Sequence, residues 1–388
     1  MAIMEKLADD DKANAEYQEY LAMIHNNIGI ALMELGRQTE ELDSYRKALA
    51  VWRKMADTNR AVTYYQANLV YALNNIGVAL HRAGKPAEAL EPLRQALSMQ
   101  QKLADANPTI TDFQETLAWI QNRIGESLLV TGKPAEALEG YRRGFALYQK
   151  VAGTSPRWGV GWSQNLIGEA LLITGRSAEA LDWFQKSLPV HQKVVKDNPG
   201  NTEFESYLTI VHNNIGRAMG RQKRFAEAFI ALDAGLSVHQ KLAKADPKNN
   251  LHKLGLGMSH AYRGGARVRA GQPAEAAADL RRALELWAKL PSLDIETQVE
   301  RGRALALLAG LGADPKSGVT KDEAKTFADQ SVAVLAAVVK TDWALPIELK
   351  EPDFDALRGR ADFQKLFAEV EAKAEKVTDT APPPREKK

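Results

Sequence analysis

The sequence predicts an all-α chain: a right-handed superhelical solenoid of helix-turn-helix repeats, closed by a C-terminal helical cap. Three observations predict it. One short phrase returns six times in register along the 388 residues. Apolar residues around each copy recur at helical spacing. Glycine and proline interrupt the copies at corresponding points, where one helix must stop and the next begin.

The phrase is Asn-Asn-Ile-Gly at Asn26–Gly29, Asn74–Gly77 and Asn213–Gly216, with variants at Asn122–Gly125 and Asn165–Gly168 and a weaker copy at Ala261–Gly264. Its glycines stand at 29, 77, 125, 168, 216 and 264, so the spacings are 48, 48, 43, 48 and 48. A fixed period of this size marks stacked repeats. Around Gly77, the residues Leu73, Ile76 and Leu80 form the buried stripe of a first helix. A second glycine follows at Gly36, Gly84, Gly132, Gly175 and Gly271, with Lys223 in its place in the fifth copy. Glycine there suits the left-handed residue after a helix end. Pro86 then suits the first turn of a second helix, which carries Ala89, Leu93, Ala96 and Leu97. Asn107-Pro108, Ser155-Pro156, Asn198-Pro199 and Asp246-Pro247 end second helices.

Residues 1–13 match the end of a second helix whose first helix would lie upstream of Met1. The expectation is an excerpt of a longer array with an under-packed first turn. Residues 14–291 hold the six repeats. Residues 292–340 read as a degenerate seventh pair, Glu296–Leu311 and Lys321–Lys340, around an inserted loop Gly312–Thr320. Residues 341–376 supply short capping helices. Asp353 and Asp355 are expected to cap a helix, and Glu369, Glu371, Lys373 and Glu375 to give the polar face a solenoid end needs. Residues 377–388, with three consecutive prolines, read as a disordered tail.

Composition excludes several classes. Against 51 Lys+Arg stand 49 Asp+Glu, a formal charge of +2, which argues against a general nucleic-acid binder. With no cysteine there is no disulfide, thiol catalysis or cysteine-zinc site. The longest apolar run, Val332–Val339, is eight residues, against the ~20 a membrane span needs. No apolar leader is visible in residues 1–20, so a cytoplasmic location is expected.

Catalytic signatures are missing too. There is no kinase Gly-rich loop, His-Arg-Asp or Asp-Phe-Gly phrase. The Gly77…Gly84-Lys85 stretch has the wrong spacing for a phosphate loop, and Pro86 stands where a hydroxyl would bind magnesium. The histidines are scattered without a His-Glu-x-x-His pair, and His191 and His239 share a repeat position, as scaffold residues do. No enzymatic activity, cofactor or metal is expected.

The pattern resembles the tetratricopeptide repeat: Gly77, Leu80, Gly84, Ala89, Leu93 and Ala96 fall where that family places its packing residues. The period is longer than the usual ~34 and is similar to the long repeats of kinesin light chains. Closer still is the resemblance to the tetratricopeptide tails of planctomycete-type bacterial serine/threonine kinases. Those share phrases like Leu103–Pro108, Thr131–Leu138, Asp314–Val319 and Pro352–Arg358. The resemblance implies a protein-binding solenoid and leaves the partner open.

The remaining chemistry is recognition. In such a solenoid the first helices line a concave wall. Opposite the packing stripe, residues i, i+4, i+7 and i+11 share a face. That face reads Tyr71, Asn75, Val78, Arg82 in the second unit and Trp119, Arg123, Glu126, Val130 in the third. It reads Trp162, Leu166, Glu169, Ile173 in the fourth and Ile210, Asn214, Arg217, Arg221 in the fifth. The first Asn of the phrase recurs and is expected to bond the neighbouring repeat. The next position varies, as a groove reading an irregular peptide would. The expected peptide-binding residues are therefore Asn27, Tyr71, Asn75, Arg82, Trp119, Arg123, Trp162, Asn214, Arg217 and Arg221. The four arginines predict a positive stretch and an acidic or phosphorylated segment as ligand.

The 43-residue spacing removes five residues (48 − 43) from the start of one first helix. That leaves a notch beside Trp158 and Trp162, either filled by them as core or open as an aromatic pocket. The function expected is a protein–protein interaction scaffold that binds a peptide or protein segment in its groove. The alternative is a non-catalytic regulatory tail of a larger bacterial serine/threonine kinase, acting through self-association.

Overall fold

A computed structural model describes residues 2–11, 13–153, 158–343 and 348–379, and every regular element among them is helical. A first helix, α1 (Ala2–Asp10), precedes six pairs. They are α2 (Ala15–Glu34) with α3 (Gln38–Thr58), α4 (Thr63–Arg82) with α5 (Pro86–Ala106), and α6 (Thr111–Val130) with α7 (Pro134–Ala152). Then come α8 (Trp158–Ile173) with α9 (Ser177–Asp197), α10 (Thr202–Arg221) with α11 (Phe225–Ala245), and α12 (Asn250–Arg269) with α13 (Pro273–Trp287). A seventh pair, α14 (Ile295–Leu311) and α15 (Lys321–Val339), flanks a loop holding a 3₁₀ turn at Pro315–Ser317. Two more 3₁₀ turns, Glu348–Lys350 and Pro352–Leu357, lead to α16 (Ala361–Asp379).

The repeat glycines explain the pairing. A Cβ on Gly29, Gly77, Gly125, Gly168, Gly216 or Gly264 would lie within 3 Å of Tyr45, Leu93, Tyr141, Phe184, Leu232 or Leu280 respectively. Each unit therefore seats one large side chain of its second helix on the bare backbone of its first. The turn between them is a Schellman cap: Gly84 has φ of 76°, and the Lys85 N–H reaches back to Leu80 O at 2.9 Å. In the fifth unit Lys223 adopts φ of 59° at that place, a left-handed conformation that a Cβ disfavours.

First helices also touch one another in succession from α4 to α14, more closely than successive second helices do. The first helices are thus the inner, shorter-radius layer. The array curves far enough to meet itself: Ser292, after α13, donates its hydroxyl to Gly36 O in the first unit at 3.0 Å.

The C-terminal segment differs from the expected end cap. It turns back across the inner wall. The Asp342 N–H donates to Gly84 O at 3.3 Å, and the Trp343 ring lies 5.5 Å from that of His81 on α4. Leu349, Phe354 and Leu357 are fully buried in a core shared with α14, α15 and α16, against which Val130 of α6 also packs. Asp353 caps no helix; it accepts from Arg269 at 2.6 Å and from Arg303 at 3.0 Å. Of the expected tail, 377–379 continue α16 and 380–388 lie outside the described residues, as does the Ser155-Pro156 helix end.

Candidate functional site: the inner face of the first helices

Inner-face residues differ sharply along the array. On α2, the residues Glu16, Tyr20, Met23, Asn27, Ile30 and Glu34 form one stripe, and all six are exposed. On α4, Tyr71 is still open at 43%, with its hydroxyl 3.3 Å from Thr116 Oγ1 of the next unit. From α6 onward the residues equivalent to Met23, Asn27 and Ile30 are half-buried or buried.

Asparagines at the varying position serve the scaffold. Asn75 Nδ2 donates to Asn26 Oδ1 at 2.7 Å, and Asn214 Nδ2 to Asn165 Oδ1 at 3.1 Å. In both cases the acceptor is the first Asn of the preceding unit. The first Asn bonds forward as well: Asn122 Nδ2 donates to Ser163 Oγ at 2.8 Å and Asn213 Nδ2 to Ser259 Oγ at 3.0 Å. Neighbouring repeats are stitched through both positions, so of the expected asparagines Asn27 alone stands open.

The arginines do not make a positive stretch, because each meets a carboxylate. Arg82 lies 3.6 Å from Glu41, which replaces a small residue in the first unit and is 1% exposed. Burial raises the Glu41 pKa against the opposing pull of Arg82. Arg123 pairs with Glu126 at 2.7 Å and lies over the Trp119 ring, 5.6 Å from its centre. Arg217 bonds Asn214 Oδ1 at 3.0 Å, sits 3.9 Å from Glu169 and covers Tyr262 at 4.6 Å. Arg221 donates to Glu351, which Arg303 also engages. Arg217, Arg221, Arg269 and Arg303 border one cavity, to which Glu300, Glu351 and Asp353 bring negative charge.

The notch is filled. α8 has 16 residues where α4, α6, α10 and α12 have 20. Trp158 stacks on Tyr207, with centroids 5.8 Å apart and planes 8° from parallel, and Trp162 lies 5.0 Å from the same ring. Trp162 is 8% exposed and belongs to the main core. Gly159 and Gly161 lie inside α8 and make room for Tyr148 and His191.

Tandem helix pairs around a curved inner wall make this a helical-repeat scaffold, a class whose working surface is that wall. Residues 21–59, 69–108 and 116–193 match family models of the tetratricopeptide repeat, so the repeats in those stretches are tetratricopeptide repeats. Such repeats generally mediate protein–protein interaction, and the scaffold is typically non-catalytic. No curated protein matches the chain. Among solved structures, it is similar to a Rap protein complexed with competence and sporulation factor. That alignment has 10% identity, 96% of this chain, 93% of that one and a TM-score of 0.56. It is also similar to the apo form of RapI, with 14% identity, 80% and 99% coverage and a TM-score of 0.49. A third is a Podosopora anserina putative kinesin light chain with nearly identical TPR-like repeats: 18% identity, 58% and 98% coverage, TM-score 0.41. No helix among the described residues is long and apolar enough to cross a membrane.

Proposed function

We propose that the chain is an interaction scaffold that binds a peptide or protein segment on the inner face of its first two repeats. The observation that carries this is the contrast along the wall. Tyr20, Met23 and Ile30 on α2 and Tyr71 on α4 are 40–50% exposed, while the same face in later units is engaged by neighbouring repeats or by residues 341–343 and 348–358. Large apolar side chains grouped on one concave surface are the common mark of a partner site. Of the expected ligand residues, Asn27 and Tyr71 belong to this surface; Trp119, Arg123, Trp162, Asn214, Arg217 and Arg221 support it from within the fold. The solved structure with the broader match is of a Rap protein in complex with a factor, which agrees with this reading. The kinase-tail alternative gains nothing from these similarities.

The test is selection of peptides from a phage-displayed decapeptide library on the full chain. Selected peptides should bind the Met23→Ala/Tyr71→Ala chain at least tenfold more weakly. Binders indifferent to that double substitution would place the site elsewhere.

A further inference from the structure

We infer that the segment bound there is basic: Lys or Arg flanking an apolar or aromatic anchor. This rests on the preceding reading and names the chemistry of its ligand. The open stripe of α2 begins and ends in a carboxylate, Glu16 and Glu34, both exposed and in no ion pair among the described residues. The helix itself contains no Lys or Arg. On α4 the cationic candidates are His81 and Arg82. Burial, then Arg123 and Arg82, push the His81 pKa down to about 4, so the ring is neutral at physiological pH. Arg82 is spent on the buried Glu41 carboxylate. On α6, Asp112 is exposed at the position equivalent to Glu16, and Arg123 is held by Glu126. The open part of the wall is therefore negative at its edges and apolar at its centre, although the chain as a whole carries +2.

That pattern selects by charge complementarity, which steers encounter and fixes register. Met23, Ile30 and Tyr71 offer an apolar seat for one or two side chains. Glu16 and Glu34 lie 18 residues apart, about 27 Å along the helix axis. An extended segment spans that in roughly eight residues, so two cations about eight positions apart can meet both acids. This is the reverse of the acidic ligand that the arginine positions suggest in the sequence.

The decapeptide selection tests the charge directly. Binders that depend on Met23 and Tyr71 should be enriched in Lys and Arg around an aromatic or aliphatic residue. Their affinity should fall severalfold between 50 and 300 mM salt. A Glu16→Lys/Glu34→Lys chain, altered only at exposed positions and checked for unchanged circular dichroism, should bind them at least tenfold more weakly. Binders that depend on Met23 and Tyr71 but are acidic, or that ignore the charge reversal, overturn this inference and leave the groove reading standing. A selection that returns no binder dependent on Met23 and Tyr71 removes both.

Discussion

The Arg221 guanidinium donates to the Glu351 carboxylate across 130 positions of sequence, from the inner wall to the segment that folds over it. Arg303 on α14 engages the same carboxylate. Burial alone would raise the Glu351 pKa, but Arg303, Arg221 and Arg217 outweigh it and hold it at about 2. Glu351→Ala would take from Arg221, less than a fifth exposed, its carboxylate partner, and leave Arg303 to Asp353 and Glu300. Breaking such a pair costs about 3 kcal/mol or more. The expected result is a lower unfolding midpoint and faster amide exchange across 348–358; unchanged exchange there would mean that the apolar contacts of Phe354 and Leu357 hold the segment alone.

Acid should weaken the fold from near neutrality. Burial pushes the pKa values of His81, His191 and His239 down to about 4, with Arg123 and Arg82 adding at His81 and His252 at His239. An unfolded histidine takes its proton near 6.5, so the unfolded state binds more protons between pH 6.5 and 4 and stability falls through that window. Each ring contributes on the order of 3 kcal/mol when the window is crossed. Burial raises Glu41, Glu126, Glu169 and Glu296, the last to about 8 with Glu169 adding, so these carboxyls take protons first in the folded state and oppose the trend. Below the ordinary carboxylate range Glu351 adds its own loss. Melting temperature followed from pH 8 to 4 should decline most below 6.5, and His191→Gln should flatten the decline. A curve flat to pH 5 would count against the three buried neutral rings.

Trp162→Ala is expected to cost about 3–5 kcal/mol of stability, as removal of a buried aromatic does. Its ring fills the space beside the shortened α8 and contacts Tyr207. A variant that melts like the parent would return Trp162 to the list of surface residues.

Gly125→Ala should destabilise by about 2 kcal/mol, because its Cβ would lie 2.5 Å from Tyr141 Cε1 in a close-packed core. In a Tyr141→Ala background the same change should cost less than half as much. A double-mutant cycle measures this, and additive effects would deny the contact.

Lys223→Gly should stabilise by about 1 kcal/mol, since it removes a Cβ from a left-handed residue that is glycine in five sister turns. Denaturant titration reads the change. A loss of stability would mean that the lysine side chain contributes more than its backbone costs.

The helix pairs, their glycine contacts and their turns were legible because their causes are local and repeated. Gly77 lies 16 positions before Leu93, Gly84 follows its helix end, and the same distances return in register. Asn27 and Tyr71 were legible as inner-face residues for the same reason. Asn75 and Asn214 were misread because their partners, Asn26 and Asn165, lie one repeat back, where a varying residue type hides a structural bond. Asp353 was misread as a cap because Arg269 and Arg303 lie 84 and 50 positions away.

Sequence alone thus determined an array of tetratricopeptide-type helix pairs, since helix periodicity, left-handed glycines and N-terminal prolines act within a few residues. Tertiary structure alone decided which part of the wall stays open. Small rotations between units accumulate until Ser292 meets Gly36, and the segment ending in Glu351 and Asp353 then falls across the later repeats and neutralises their arginines. No local signal encodes that sum of rotations, so the acidic, apolar face of the first two units emerges only once the array has closed.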